Sequence, residues 1–277
     1  MLKIQVISTV DAMLQSDKRA VVIEDFLAGD LGAKLRQLST FARGCAVSRL
    51  HLDDLADRCR ADGEEAVAQR YLCVGELAHW RGFTLPKRRL EWLGGRIAAK
   101  DAAMRFCGLV GPERDWQQWQ LAVLPSGRPE LVAGAMVLPE ISISHSAGQA
   151  VAMATADRCG IDIQQQSASV VRVKSRFCLA EEEERLLASL GEVDDVSRLT
   201  LLWSVKEAIR KAVPVAVLPA FEEMELKAVG GKATGLMVFD CCFRRQDKSL
   251  SLAVGVVLER EYAVAFIAMP TGNQKGD

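Results

Sequence analysis

The stretch 201–212, Leu-Leu-Trp-Ser-Val-Lys-Glu-Ala-Ile-Arg-Lys-Ala, sets one carboxylate, Glu207, among three cations, Lys206, Arg210 and Lys211. It has no Gly or Pro and consists mostly of straight-chain or small residues, so it predicts a helix. Leu202, Val205, Ile209 and Ala212 then form an apolar stripe for a core, while Trp203, Glu207 and Lys211 recur at i, i+4 and i+8 on another face. Two chemistries suit that face. One is a solvated surface of i,i+4 ion pairs, each contributing roughly a few tenths of a kcal/mol. The other is a functional face, whose weight depends on a short strand upstream.

That strand stands about 45 residues before Glu207. Ile161-Asp162-Ile163-Gln164 alternates as a half-buried strand does, with both isoleucines on one face and Asp162 and Gln164 on the other. An acid projecting from a buried strand is costly unless it is paired or metal-bound, and a cap or salt bridge would also satisfy it. Before it, Ile141-Ser142-Ile143-Ser144 predicts a strand, 145–149 a turn and 150–156 a returning strand. His145 and Asp162 thus both fall at strand ends beside turns, where sites gather.

A second cationic helix is predicted over 83–103, with Thr84 as N-cap and Pro86 in the first turn. Arg89, Arg96 and Lys100 lie within reach of one face, which suits either an anion or plain solvent. Gly94-Gly95 costs about 1 kcal/mol per residue relative to Ala inside a helix, so a close approach to its backbone is one reason to keep the pair. Setting Trp92 on Trp203 places Arg96 on Glu207 and Lys100 on Lys211, an echo that suggests two related halves.

The elements that position these residues follow from the rest of the pattern. Strands are expected at 3–7 and 21–23, and helices at 31–41, 52–71, 76–81, 180–187 and 196–212, the last capped by Asp194-Asp195. Pro125 to Pro129 closes a hairpin, and 224–229, 235–242, 250–258 and 262–268 read as further strands. The fold class is therefore α+β: two similar halves related by pseudo-two-fold symmetry, each an antiparallel sheet packed on a long helix. The expected division is 1–134, carrying the cationic helix 85–105, and 135–277, carrying Asp162 and the helix 201–212.

The 277 residues carry a formal net charge of −1 and 49% hydrophobic residues, so no global basic field draws the chain to nucleic acid or membrane. There is no apolar run long enough to span a bilayer and no export signal, so a cytoplasmic protein is expected. Eight scattered cysteines without a C-x-x-C pair fit reduced thiols, and the three histidines lack zinc-ligand spacing.

Taken together, Gly160-Ile161-Asp162-Ile163 and Trp203-Ser204-Val205-Lys206-Glu207-Ala208-x-x-Lys211 resemble the two signature motifs of the 4′-phosphopantetheinyl transferases. Ile143-Ser144-His145-Ser146 and Arg88-Arg89-x-x-Trp92-Leu93-x-Gly95-Arg96-x-x-x-Lys100 resemble further motifs of that family, and the length resembles its larger, pseudo-dimeric, surfactin-synthetase-activating type. The resemblance implies transfer of phosphopantetheine from coenzyme A to a serine of an acyl or peptidyl carrier protein, with Mg²⁺, by a monomer. It implies that Asp162 and Glu207 hold the Mg²⁺ and that Glu207, Lys206 and Lys211 are catalytic. It implies that Arg89, Arg96, Lys100, Ser144 and His145 bind coenzyme A. Two departures stand out: Gln164 where a second acid is usual, and Val213-Pro214-Val215 where a Gly-rich turn is usual. Gln164 keeps a second reading open, a non-catalytic coenzyme A- or carrier-binding protein on the same fold.

Overall fold

The computed structural model describes residues 21–269, apart from 29, 38–40, 42–43, 112–113, 133–137, 216 and 232–234. In chain order the elements are β1 (Glu24–Asp25), α1 (Asp30–Gln37), β2 (Cys45–His51), α2 (Leu52–Asp62), α3 (Glu64–Tyr71), α4 (Val74–Arg81) and α5 (Pro86–Phe106). Then come β3 (Gln120–Val123), β4 (Pro129–Val132), β5 (Glu140–Ser146), β6 (Gln149–Thr155), β7 (Arg158–Gln165), α6 (Ser169–Arg172), α7 (Ala180–Ser189) and α8 (Asp195–Ala212). The chain closes with β8 (Met224–Gly230), β9 (Met237–Arg245), β10 (Lys248–Glu259) and β11 (Tyr262–Met269).

The architecture is α+β. One antiparallel sheet runs β1-β2-β6-β5, a second runs β7-β11-β10-β9-β8, and β3-β4 form a separate hairpin. Helix α5 lies on the first sheet and α8 on the second. Their inner faces meet in one apolar layer, with Val47, Val151 and Met153 against Ile161, Ile163, Val264 and Phe266. The order through the molecule is thus helix, sheet, sheet, helix.

Local chemistry accounts for the main boundaries. Asp194 caps α8, accepting from Ser197 N at 3.0 Å. The β5–β6 turn holds Ala147 at φ 42° and Gly148 at φ 85°, a left-handed pair that matches the twist of a tight hairpin. The helix expected over 52–71 is two helices. Gly63 sits between them at φ 90°, a conformation that ends α2 and that L side chains rarely adopt. The strand expected at 21–23 falls on the next two residues, where Glu24 and Asp25 pair with Arg49 and Ser48. The strand expected at 3–7 lies outside the described residues. Helix α5 starts from Leu85, not Thr84.

The expected boundary at 134/135 would place the hairpin β5–β6 in the second half. The hairpin pairs instead with β2, so the first sheet takes strands from both sides of that boundary. No described helix is long and apolar enough to cross a membrane.

Candidate active site

The two sheets touch at their edges through serines. Strands β5 and β7 share no backbone ladder. Ser142 Oγ accepts from Ile161 N at 3.0 Å, Ser146 Oγ accepts from Gln165 N at 3.1 Å, and Ser144 Oγ donates to Asp162 Oδ1 at 2.8 Å. The alternation that pointed the isoleucines inward also aims these hydroxyls at the neighbouring strand. Ser144 therefore orients Asp162.

Helix α8 is drawn tightly onto β7. A Cβ added to Gly160 would stand 1.9 Å from the Ala208 carbonyl oxygen, so only glycine admits the helix backbone there. One helical turn further, Lys211 Nζ reaches Asp162 Oδ1 at 2.9 Å and the Ile161 carbonyl at 2.8 Å. Asp162 Oδ2 is buried and has no partner. Glu207, one turn before Lys211 and half-buried, accepts from Arg210 Nη1 at 2.7 Å.

These donors suit a hard cation. Mg²⁺ takes one or two carboxylates, keeps several waters and completes its shell with substrate phosphates. An orphaned buried carboxylate oxygen beside a helix carrying a second acid meets that requirement. Among the described residues no cluster of three or more His, Cys, Asp and Glu could enclose an ion. The third donor position, Gln164, turns its amide to the Gln165 carbonyl at 3.2 Å. The residues fit a magnesium ion held by two carboxylates and its own water.

Beside this pair lies a hollow of about 250 Å³, lined by Arg88, Glu91, Trp92, Gly95, Arg96 and His145, with Val123, Gly127 and Pro129 of the β3–β4 hairpin as a wall. Arg96 is 8% exposed, its guanidinium stacks 4.3 Å over the Trp92 ring, and its buried Nε has no partner. Burial holds its pKa below the ordinary arginine value. A buried cation with an unused donor suits an anion. His145 stands 3.9 Å from Glu91 and has a lowered pKa, chiefly through burial, with Lys211 and Arg88 adding to the effect. Larger hollows lie beside Met104 and Arg114, about 490 Å³, and beside Arg49 and Glu259, about 390 Å³; neither holds a motif residue, and chemistry outweighs size here.

Three expected site residues lie elsewhere. Lys100 is 0% exposed and donates to Glu76 at 2.6 Å, the Tyr71 carbonyl at 2.7 Å and the Trp116 carbonyl at 3.1 Å. Lys206 is equally buried and donates to Glu182 at 2.8 Å, the Phe177 carbonyl at 2.7 Å and the Phe221 carbonyl at 3.3 Å. Both ammonium groups are fully occupied inside the protein, which corrects the coenzyme A role for one and the catalytic role for the other. Arg89 pairs with Glu64 at 2.8 Å and donates to the Phe83 carbonyl, staples that hold the start of α5. Arg88 faces the hollow in its place. The spacing carries a signal for this: Arg88, Trp92 and Arg96 repeat at i, i+4 and i+8, while Arg89 lies about 100° round the helix.

The two lysine cages also correct the register of the echo. Lys100, Glu76 and Tyr71 recur 106 residues later as Lys206, Glu182 and Phe177, so Lys100 corresponds to Lys206 and not to Lys211. Arg128 is a residue that no sequence pattern singles out. It donates to the Lys211 carbonyl at 2.8 Å and to Glu140 at 2.8 Å, tying the hairpin wall to the end of α8.

An α+β fold that sets a buried carboxylate, Asp162, near a hollow holding a buried arginine, Arg96, suits a charged ligand. Residues 158–267, from β7 to β11, match the 4′-phosphopantetheinyl transferase superfamily. The holo-(acyl-carrier-protein) synthase of Cupriavidus taiwanensis is 34% identical over 113 residues, 36% of this chain and 81% of that protein. Enterobactin synthase component D of Salmonella typhi is 27% identical over 148 residues, 52% of this chain and 56% of that protein, so the chain spans little more than half the length of that relative. A crystal structure of a holo-(acyl-carrier-protein) synthase from Bacillus anthracis in complex with CoA (3′,5′-ADP) overlaps 40% of this chain and 93% of that one, at 25% identity and a TM-score of 0.36. So partial an overlap supports no structural conclusion. The chain belongs to the 4′-phosphopantetheinyl transferase superfamily.

Proposed function

We propose that the protein transfers 4′-phosphopantetheine from coenzyme A to a serine of an acyl or peptidyl carrier protein and releases adenosine 3′,5′-bisphosphate. The observation that carries this reading is the orphaned, buried Oδ2 of Asp162, whose Oδ1 is held by Ser144 and Lys211, with Ile143 and His145 on either side of Ser144 lining the hollow around Arg96. Arg96 and Arg88 would take the phosphates of the nucleotide end, with Trp92 as an apolar floor. His145 would contact the pyrophosphate. Asp162 and Glu207 would hold Mg²⁺, which supplies charge neutralisation on the pyrophosphate when bound.

The serine hydroxyl attacks the phosphorus that bears the pantetheine. Its proton passes to Glu207, and the bond to the adenosine bisphosphate breaks. Lys211 meets the charge left on the departing phosphate. No covalent intermediate with the protein is needed, so positioning and electrostatics supply most of the rate enhancement. The repeated lysine cage supports a pseudo-two-fold arrangement of two halves, the larger pseudo-dimeric type, with the boundary adjusted for the strand pair β5–β6.

Incubation with coenzyme A, Mg²⁺ and a panel of apo-carriers, read by carrier mass, tests the reading. Addition of phosphopantetheine that vanishes in Asp162→Ala is the expected result. Binding of coenzyme A without transfer to any carrier would favour the non-catalytic binding protein, the reading that Gln164 in place of an acid supports.

A further inference from the structure

Each carboxylate of the candidate metal pair already has a cation from α8. Arg210 meets Glu207 at 2.7 Å and Lys211 meets Asp162 at 2.9 Å. The two cations are held very differently. Arg210 is pinned: its Nε donates to the Pro219 carbonyl at 2.9 Å, and its guanidinium lies 4.9 Å over the Phe221 ring. Lys211 has a flexible four-carbon stem, is 28% exposed, and has one further contact, the Ile161 carbonyl.

Asp162 is saturated on one side only. Lys211 and Ser144 both donate to Oδ1, while Oδ2 is buried without a partner. A buried carboxylate demands compensation, and an ammonium group supplies it when nothing else is bound. The same ammonium opposes a second cation at Asp162 until negative charge enters the site.

We propose that Lys211 is the resident counter-cation of the empty site. It neutralises Asp162 until the pyrophosphate arrives, then turns to the phosphates and leaves the carboxylate to the divalent cation. Ser144 keeps Asp162 from rotating during the exchange, and Arg210 stays in place. The proposal rests on the phosphopantetheinyl-transfer reading of this site. Its consequence is that the free protein binds the metal poorly, and that metal and coenzyme A load together.

The test measures Mn²⁺ binding to the full chain by calorimetry, with and without coenzyme A, for wild type, Lys211→Met, Lys211→Gln and Lys248→Met. Either Lys211 variant is expected to tighten Mn²⁺ binding by the coenzyme A-free protein about tenfold and to shrink the gain that coenzyme A brings; Lys248→Met, which removes an exposed cation at the start of β10, is expected to stay within about twofold of wild type. Two Lys211 variants guard against one that fails to fold. Mn²⁺ affinity left unchanged or weakened by both would overturn the proposal alone. So would an equal tightening by Lys248→Met, which would mark a general effect of net charge. Absence of Mn²⁺ binding in every variant, with and without coenzyme A, would overturn the metal assignment and the proposal together.

Discussion

Helices α5 and α8 share a frame and differ in the carboxylate that follows it. In α5, Lys100 is caged by Glu76 and two carbonyls, and Glu76 also accepts from Leu121 N at 3.0 Å. In α8, Lys206 is caged by Glu182 and two carbonyls, and Glu182 accepts from Leu226 N at 2.7 Å. The next residue separates the two helices. Asp101 is 0% exposed, accepts from Ser48 at 2.5 Å, and is closed in by Arg105 and Arg114. Glu207 is half-buried and meets Arg210. The cage fixes a helix to its sheet. Chemistry depends on whether the neighbouring acid is walled in or left open.

The parallel between the helices stands or falls first at the lysines. Lys100→Met and Lys206→Met should each destabilise the protein by about 3–5 kcal/mol, since each leaves a buried glutamate uncompensated. Urea unfolding measures this. A Lys206 variant of normal stability but lost transfer would place Lys206 in the chemistry and end the parallel.

The next largest contrast is between the two acids. Glu207→Gln should cut transfer at least about a hundredfold, the scale of losing one preorganised electrostatic group, with stability changed by less than about 1 kcal/mol. Asp101→Asn should do the reverse: a clear loss of stability, with transfer per folded molecule close to wild type. Carrier mass spectrometry and thermal melts on the same samples decide it.

The glycines extend the contrast to the helix–sheet contacts. At Gly160 an added Cβ meets helix backbone, whereas at Gly94 it meets the Leu52 Cδ2 atom, the end of a side chain that can turn away. Gly160→Ala should cost about 3 kcal/mol or somewhat more and slow transfer through Asp162, and Gly94→Ala should cost about 1 kcal/mol. Thermal melts of the two variants side by side measure the difference.

The smallest effect concerns His145. Its folded-state pKa is lowered from the ordinary 6.5 by burial, so the folded protein resists the proton that the unfolded chain accepts. Stability is full above 6.5 and declines as pH falls from there toward the lower folded value. His145→Gln should flatten that decline in melting temperature between about pH 7 and pH 5. An unchanged slope would show that another group sets it.

Much of the site was legible because periodicity is local. Spacing alone put Glu207 and Lys211 on one helical face, and Asp162 opposite the isoleucines on one strand. The spacing also grouped Arg89, Arg96 and Lys100 on one face of α5, and of these three only Arg96 lines the hollow. Arg88, and not Arg89, shares the i, i+4, i+8 stripe with Trp92 and Arg96, a signal that grouping Arg89 with Arg96 passed over. Gly94-Gly95 announced a close approach without naming the partner, which proved to be Leu52 and Ile143.

Residue types and their spacing were enough for the main elements and the order of the motifs. These depend on steps of two and about 3.6 residues, which any chain displays locally. Which charges are free to act was settled by packing alone. Lys100, Lys206 and Lys211 are indistinguishable as letters. Two of them end in cages of carbonyls and a glutamate supplied by segments 24 to 29 residues upstream and about 15 residues downstream, and the third reaches a strand 49 residues away. Burial and partner geometry are properties of the packed chain, so the assignment of frame and site among identical side chains waited for the fold.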